Sequence, residues 1–376
     1  MPVHSSRDRL YADHNASAPL RPEARDAMMR ALELPTNPSS IHAEGRRAKG
    51  MIEQARRQVA ALAGGDPEAV VFTSGATEAI AMALQPRVEA DAAQQTVFRP
   101  LAKEHAAVLA AHGFDADAVS PIAVDEAGLV IWPSEIDANN LLAVQMANSE
   151  TGVLAPPPPK TEAFVFRDAV QTAGKVSFQM ADAGANLICI SSHKLGGPQG
   201  AAALIGRTTE DLPPALIRGG GQEKGRRGGT ENVAAIAGFG AAAEAAGADL
   251  ECFAQRTSDL RDSFEGGLRD LRQSAGYDFI IHGQTANRLP NTSCFSIAGL
   301  DASTALMAAD LAGISISSGA ACSSGKVGKS HVLAAMGVPD ELAKGALRIS
   351  FGWNSEPDDA ARLLAFFRSE LPRLLT

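Results

Sequence analysis

Four short apolar runs, each closing on small or polar residues, constrain this chain most: AVVFTS from Ala69, NLLAVQMAN from Asn140, AFVFRDA from Ala163 and NLICISS from Asn186. They alternate with stretches such as RPEARDAMMRALEL from Arg21 and GRRAKGMIEQARRQVAALAG from Gly45, whose apolar residues recur every three or four positions. Continuously apolar strands between amphipathic helices predict an α/β sheet covered on both faces. In such sheets, polar residues at the carboxyl ends of the strands meet ligands.

The segment from Gly238 to about Leu271 reads as a long helix with a break near Gly247, carrying the chain into a second unit. Beyond it, NTSCFSIAG, ISISSGAA and ALRISFG read as strands alternating with helices, a smaller α+β domain. APPPPK at 155–160 reads as a rigid loop, because strand-like sequence resumes at once.

With 376 residues, 45% of them hydrophobic, the chain can bury two cores. Its net charge of -9 is spread along the sequence, so no basic stripe points to nucleic acid or an anionic membrane, and small-molecule chemistry is the better expectation. The first twenty residues lack the charged start and apolar run of a signal peptide, and no apolar stretch of about 18 residues occurs, which predicts a cytoplasmic protein. Cys189, Cys252, Cys294 and Cys322 are far apart, with neither a CxxC pair nor metal-ligand spacing. Cys189 and Cys294 lie in apolar strands and read as core; Cys252 lies in the long helix.

The chemistry concentrates in VFRDAVQTAGK and NLICISSHKLGGPQGAAAL. One strand delivers Asp168 at its end, and the next delivers Ser191, His193 and Lys194 before a glycine-rich turn. A lysine just past a buried strand suits a Schiff base, since desolvation favours the neutral, nucleophilic amine. Pyridoxal phosphate needs such a lysine, a carboxylate at its pyridine nitrogen and donors for its phosphate. The plainer reading makes Asp168 a helix cap and Lys194 a surface lysine. In VFTSGATEAI a strand runs through glycine into a helix, placing Ala76 and Thr77 where main-chain N–H groups attract an anion; an ordinary helix cap explains the same letters. His105 in AKEHAAVL is either structural or a ring able to stack on a cofactor and move protons.

These motifs, with YADHNASAPLRPEA, NPSSIHAEGRRAK, NSETGV, GGGQEKGRRGGTEN, SSGAACSSG and LRISFG, occur in the order found in the NifS/IscS-type cysteine desulfurases. The chain resembles that family, fold-type I pyridoxal-phosphate enzymes of the class V aminotransferase group, from about Tyr11 to Gly352. The resemblance implies a large domain, 14–249, with a mainly parallel seven-stranded sheet between helices. It also implies a small domain made of 1–13 and 250–376 that carries a catalytic cysteine loop.

By the same resemblance Lys194 is the Schiff-base lysine, Asp168 faces the pyridinium nitrogen, Gln171 the phenolic oxygen, and His105 stacks on the ring. Ala76, Thr77, Ser191 and His193 hold the phosphate. Thr230 reaches the phosphate of a neighbouring subunit, which implies a homodimer. Arg348 binds the substrate carboxylate, and Asn148 and Ser149 approach cofactor or substrate. Cys322 is the nucleophile that takes sulfur from L-cysteine as a persulfide, leaving alanine, and passes it to an acceptor protein of iron-sulfur cluster assembly or thiolation. SSGAACSSGKVGK has the small, glycine-containing composition such a delivery loop needs.

Three places depart from the family pattern. NSETG has Ser149 where a second asparagine is usual, KVGK follows the nucleophile in place of an acid and a proline, and Trp353 stands where SFGR has arginine. The rival expectations are another class V enzyme, such as a selenocysteine lyase, a β-lyase or a small aminotransferase, and a non-catalytic partner that keeps the fold.

Overall fold

The structure is a computed structural model that describes residues 9–34, 37–86, 95–319 and 329–375. Along the chain run β1 (Leu10–Tyr11), α1 (Pro22–Leu32), α2 (Ala43–Ala63), β2 (Val70–Thr73), α3 (Ala76–Ala83), β3 (Val97–Pro100), α4 (Ala106–Ala110), β4 (Asn140–Ala143), β5 (Phe164–Asp168), β6 (Leu187–Ser191) and β7 (Ala202–Gly206). Then come α5 (Val233–Ala248), α6 (Leu250–Ala275), β8 (Phe279–Ile281), β9 (Thr292–Ile297), α7 (Ala302–Leu311), β10 (Ile314–Ser315), β11 (Ser317–Ser318), α8 (His331–Ala335), α9 (Asp340–Ala343), β12 (Ala346–Ser350) and α10 (Asp359–Leu374).

The four apolar runs become β2, β4, β5 and β6 of one sheet with strand order β2-β7-β6-β5-β4-β3. Only β7 runs antiparallel to its neighbours, so the sheet is mainly parallel as the family fold requires. Its regular strands number six among the described residues. The seventh position is held by the segment 119–122, bridged in parallel to Phe98 and Leu101. Pro100 lacks the N–H that would reach the Ser120 carbonyl and complete that ladder, which leaves bridges in place of a continuous strand.

Alternation along the strands covers both faces. Val70 and Phe72 join Ile52, Val59 and Phe239 under α2 and α5, while Val71 joins Ile80, Met82 and Val108 under α3 and α4. Helices α2 and α5 approach closely at Gly240, where a Cβ would lie 2.4 Å from the Ala55 Cα. The expected long helix is broken two residues later than Gly247: α5 ends at Ala248, and α6 leaves at a bend of 72°. Asp249 at the bend pairs with Arg21 and Arg256, both at 3.6 Å. No single helix among the described residues is long and apolar enough to cross a membrane.

A second sheet, β11-β12-β9-β8, is antiparallel, and β1 pairs with β10 in parallel. Phe264, Phe295 and Phe367 form the centre of its separate core, which also takes in Leu10 and Ala12 from the start of the chain. The bridge between Asp13 and Ser350 then leads the chain across to the large sheet.

Candidate active site

Strands β5 and β6 run side by side, with Asp168 paired to Cys189 in register, so Asp168 and Ser191 leave the same edge of the sheet. The chain after Ser191 folds into a single tight turn, Ser192–Lys194, and directs Lys194 back over that edge. Here a cavity of about 450 Å³ is lined by Ala76, Thr77, His105, Ser149, Asp168, Gln171, Ser191, His193, Lys194 and Arg348. Residues separated by more than 270 positions thus meet at the carboxyl edge of the parallel strands, where α/β sheets bind ligands.

Lys194 Nζ donates to the main-chain carbonyls of Asn15 at 2.7 Å and Ala16 at 2.9 Å. Asp168 is buried and uses Oδ1 for the Val170 N–H at 2.8 Å and the Cys189 thiol at 3.7 Å. Burial pushes its carboxyl pKa up, against the pull of the Val170 N–H, the His105 ring and the Lys194 amine. A cationic ring nitrogen in the cavity would supply the partner that a buried carboxylate wants.

His105 caps α4 by accepting the Ala107 N–H on Nδ1 at 3.1 Å, so its neutral ring carries the proton on Nε2. Burial lowers its pKa, with Asp168 opposing. His193 is pushed down to about 4 by burial and the nearby lysines, and its Nδ1 lies 3.2 Å from Ser17 Oγ. Both rings are therefore neutral hydrogen-bonding groups at pH 7.

At the opposite wall α3 begins at Gly75 with no side-chain cap, leaving the N–H groups of its first turn for an anion. A Cβ at Gly75 or Gly200, both on the cavity wall, would meet no protein atom within 4 Å. The cavity thus combines an amine, a buried carboxyl, an anion cradle and room for a flat ring, and these residues fit pyridoxal phosphate.

Arg348 on β12 is 2% exposed. It donates to Asp13 and to the Ser149 carbonyl, while its Nε is buried with no partner among the described residues.

Some expected residues are placed elsewhere. Asn148 does not line the cavity: its Oδ1 accepts from the Glu150 and Thr151 main chain at 3.0 and 2.9 Å, and Nδ2 donates to the Lys103 carbonyl at 3.1 Å. Asparagine forms such turns readily, and this one presents Ser149 to the cavity. Thr230 is exposed and outside the cavity of its own chain. Cys322 lies outside the described residues; the chain leads toward it from β11, where Ser317 pairs with Arg348.

Several buried residues around the site escaped sequence reasoning, Asn15, Lys103 and Glu104 among them. Asn15 uses its main-chain carbonyl for Lys194 and Gln171 and its side chain for Lys175. Glu104 is fully buried, and burial beside Asp168 raises its pKa well above the carboxylate range. Lys103, lowered to about 8 by burial, donates to the Gly128 carbonyl at 2.6 Å. Asn15, Lys103 and Glu104 sit inside or beside the motifs YADHNASAPLRPEA and EHAAVL, which were their only sequence signal.

Comparison with known proteins agrees with this geometry. The aminotransferase class-V family model matches residues 10–363. A cysteine desulfurase IscS from Dictyoglomus turgidum is 34% identical over 385 residues, covering 98% of this chain and 95% of the relative. A cysteine desulfurase from Gluconacetobacter diazotrophicus is 36% identical, covering 94% and 91%. The solved structure of a NifS-like protein from Rickettsia africae superposes with a TM-score of 0.84 at 30% identity, covering 97% of this chain and 99% of that one. The chain belongs to the class-V aminotransferase family of pyridoxal-phosphate enzymes, among the NifS/IscS-type cysteine desulfurases.

Proposed function

We propose that this enzyme takes sulfur from L-cysteine, releases L-alanine and delivers the sulfur through Cys322 to an acceptor protein. The observation that carries the reading is the meeting of Lys194, Asp168, the free start of α3 and Arg348 around one cavity. When bound, pyridoxal phosphate supplies an aldehyde to capture an amine and a ring to take up the electrons left at the α-carbon.

The chain's own residues do the rest. Asp168 would hold the ring nitrogen, Gln171 the phenolic oxygen and His105 one ring face. Main-chain N–H groups of Ala76 and Thr77, with Ser191 and His193, would hold the phosphate. Thr230 of a second copy would complete that cradle in a homodimer, which fits its exposure on the single chain. Lys194 would anchor the cofactor, and its free amine would be the base that moves the substrate's α-proton. Arg348 grips the substrate carboxylate through its guanidinium fork. Cys322 thiolate attacks the substrate sulfur, forming an S–S bond as the carbon–sulfur bond breaks; that bond's electron pair stays on carbon and takes up a proton.

The purified protein supplied with pyridoxal phosphate, L-cysteine and a thiol reductant should yield alanine and sulfide in equal amounts. Pyruvate in place of alanine would identify a lyase instead. Lys194→Ala should abolish the absorption near ~420 nm of the lysine-bound cofactor. Full turnover in Cys322→Ala would overturn the persulfide step.

A further inference from the structure

Behind the cavity wall lies a second lysine that the reaction does not use. Lys175 is 3% exposed, and its Nζ donates to Gln171 Oε1 at 2.6 Å and to Asn15 Oδ1 at 2.7 Å. Both acceptors are neutral amide oxygens. The charged and titratable groups that face it are Lys194 and Arg348, with His14 beside them. Burial, and then the positive charges of Lys194 and Arg348, hold its pKa well below the usual lysine range. A lysine nitrogen donates through its N–H groups, and Lys175 spends two of them on these two acceptors.

The consequence falls on Gln171. A side-chain amide can turn either its oxygen or its NH2 toward a ligand, and the network decides which. With Oε1 held by Lys175, Nε2 donates to the Asn15 carbonyl at 2.9 Å and keeps one N–H for the cavity. The same Asn15 carbonyl receives Lys194 Nζ at 2.7 Å. Asn15 is itself fixed through its main-chain N–H to Ser350 Oγ and through Nδ2 to Thr292 Oγ1, both at 2.9 Å.

We propose that Lys175 is a positioning residue for the cofactor: by gripping Gln171 Oε1 and Asn15 Oδ1 it makes Gln171 an N–H donor toward the phenolic oxygen. This rests on the reading that pyridoxal phosphate occupies the cavity with Gln171 at that oxygen. A hydrogen bond donated to a phenolic oxygen favours its anion, so losing it moves the pH midpoint of the bound cofactor's absorption change upward.

The test is a spectrophotometric pH titration of pyridoxal-phosphate-loaded wild type, Lys175→Met, Gln171→Ala and the double variant, without substrate. Lys175→Met should raise the midpoint by about one pH unit, the worth of one hydrogen bond. The same substitution should have no further effect in the Gln171→Ala background, because Lys175 acts through Gln171. Gln171→Glu, which keeps the size and removes the N–H, should raise the midpoint even if Lys175→Met fails to fold. An unmoved midpoint in folded Lys175→Met, or in Gln171→Glu, overturns the proposal while leaving the cofactor in place. A wild type with no cofactor absorption overturns the cofactor reading and this inference with it.

Discussion

Arg348 Nη2 lies 2.6 Å from Asp13 Oδ1, joining the start of the chain to β12 at the mouth of the cavity, and Nη1 holds the Ser149 carbonyl at 3.1 Å. The guanidinium is thus fixed in orientation before substrate arrives, and a preset fork loses little freedom on gripping a carboxylate. A lysine at 348 keeps the charge but has no planar fork. Arg348→Lys should raise KM for L-cysteine by about 30-fold, the equivalent of roughly 2 kcal/mol, with a smaller change in kcat. Steady-state kinetics check it, with cofactor absorption as the control for an intact site.

Glu150 connects the turn after β4 to the start of α8, accepting the Ser330 hydroxyl on Oε2 at 2.6 Å. Burial pushes its pKa up to about 7, against the pull of Ser330 and Arg348. The folded state therefore holds a proton that the unfolded chain releases near pH 4.5. This contribution is complete below pH 4.5 and disappears as pH rises through 7. Glu150→Gln stays neutral at every pH. Relative to wild type it should gain about 3 kcal/mol in stability between pH 4.5 and pH 8. Denaturant unfolding of both proteins across that range measures the gain, and parallel curves would exclude it.

What the sequence made legible was whatever a strand end determines. Asp168, Ser191 and Lys194 follow apolar runs, and a parallel sheet brings such termini to one edge. Burial set by distant partners was not legible. Lys175 is separated by 160 residues from Asn15, to which it donates, and nothing local marks it as a buried amine. β7 opens on two alanines and closes on a glycine, residues with little strand preference, and β3 contains Pro100, so neither carries a clear strand signature. The pairing of β1 with β10 joins Leu10 to Ile314, far apart in the sequence, and has no local signal either.

Asn148 separates motif from geometry. Its Oδ1 takes the Thr151 hydroxyl at 3.1 Å in addition to two main-chain N–H groups, all of them buried. Asn148→Ala leaves those donors unpaired and should cost about 3 kcal/mol of stability. Because the loss lies in the turn, it should appear equally in protein stripped of cofactor. A stability loss confined to the loaded enzyme would instead indicate direct contact with the cofactor.

Trp353 stands where the family pattern has arginine, and the structure gives the indole two partners. Its Nε1 donates to the Pro19 carbonyl at 2.9 Å, and its ring lies 5.3 Å from the Arg21 guanidinium carbon. Arg21 is buried and donates to the Leu195 carbonyl at 3.1 Å, one residue past Lys194, while Arg256 donates to the Trp353 carbonyl at 3.0 Å. The indole therefore braces the segment leading into α1 against the turn that carries Lys194, and it shields a cation with its ring face. Restoring the family residue, Trp353→Arg, removes the ring and places a third guanidinium beside Arg21 and Arg256. Among the described residues the carboxylate pairing with both of these arginines is Asp249, at 3.6 Å from each. The variant should lose about 3 kcal/mol, combining a lost cation–π contact, a lost hydrogen bond and like-charge repulsion. The repulsive part should shrink in high salt, so the deficit measured by denaturant unfolding should be smaller at 1 M sodium chloride than at low ionic strength. Trp353→Phe keeps a ring face and should recover most of the loss, whereas an equal deficit in both variants would place the whole effect on the Pro19 hydrogen bond.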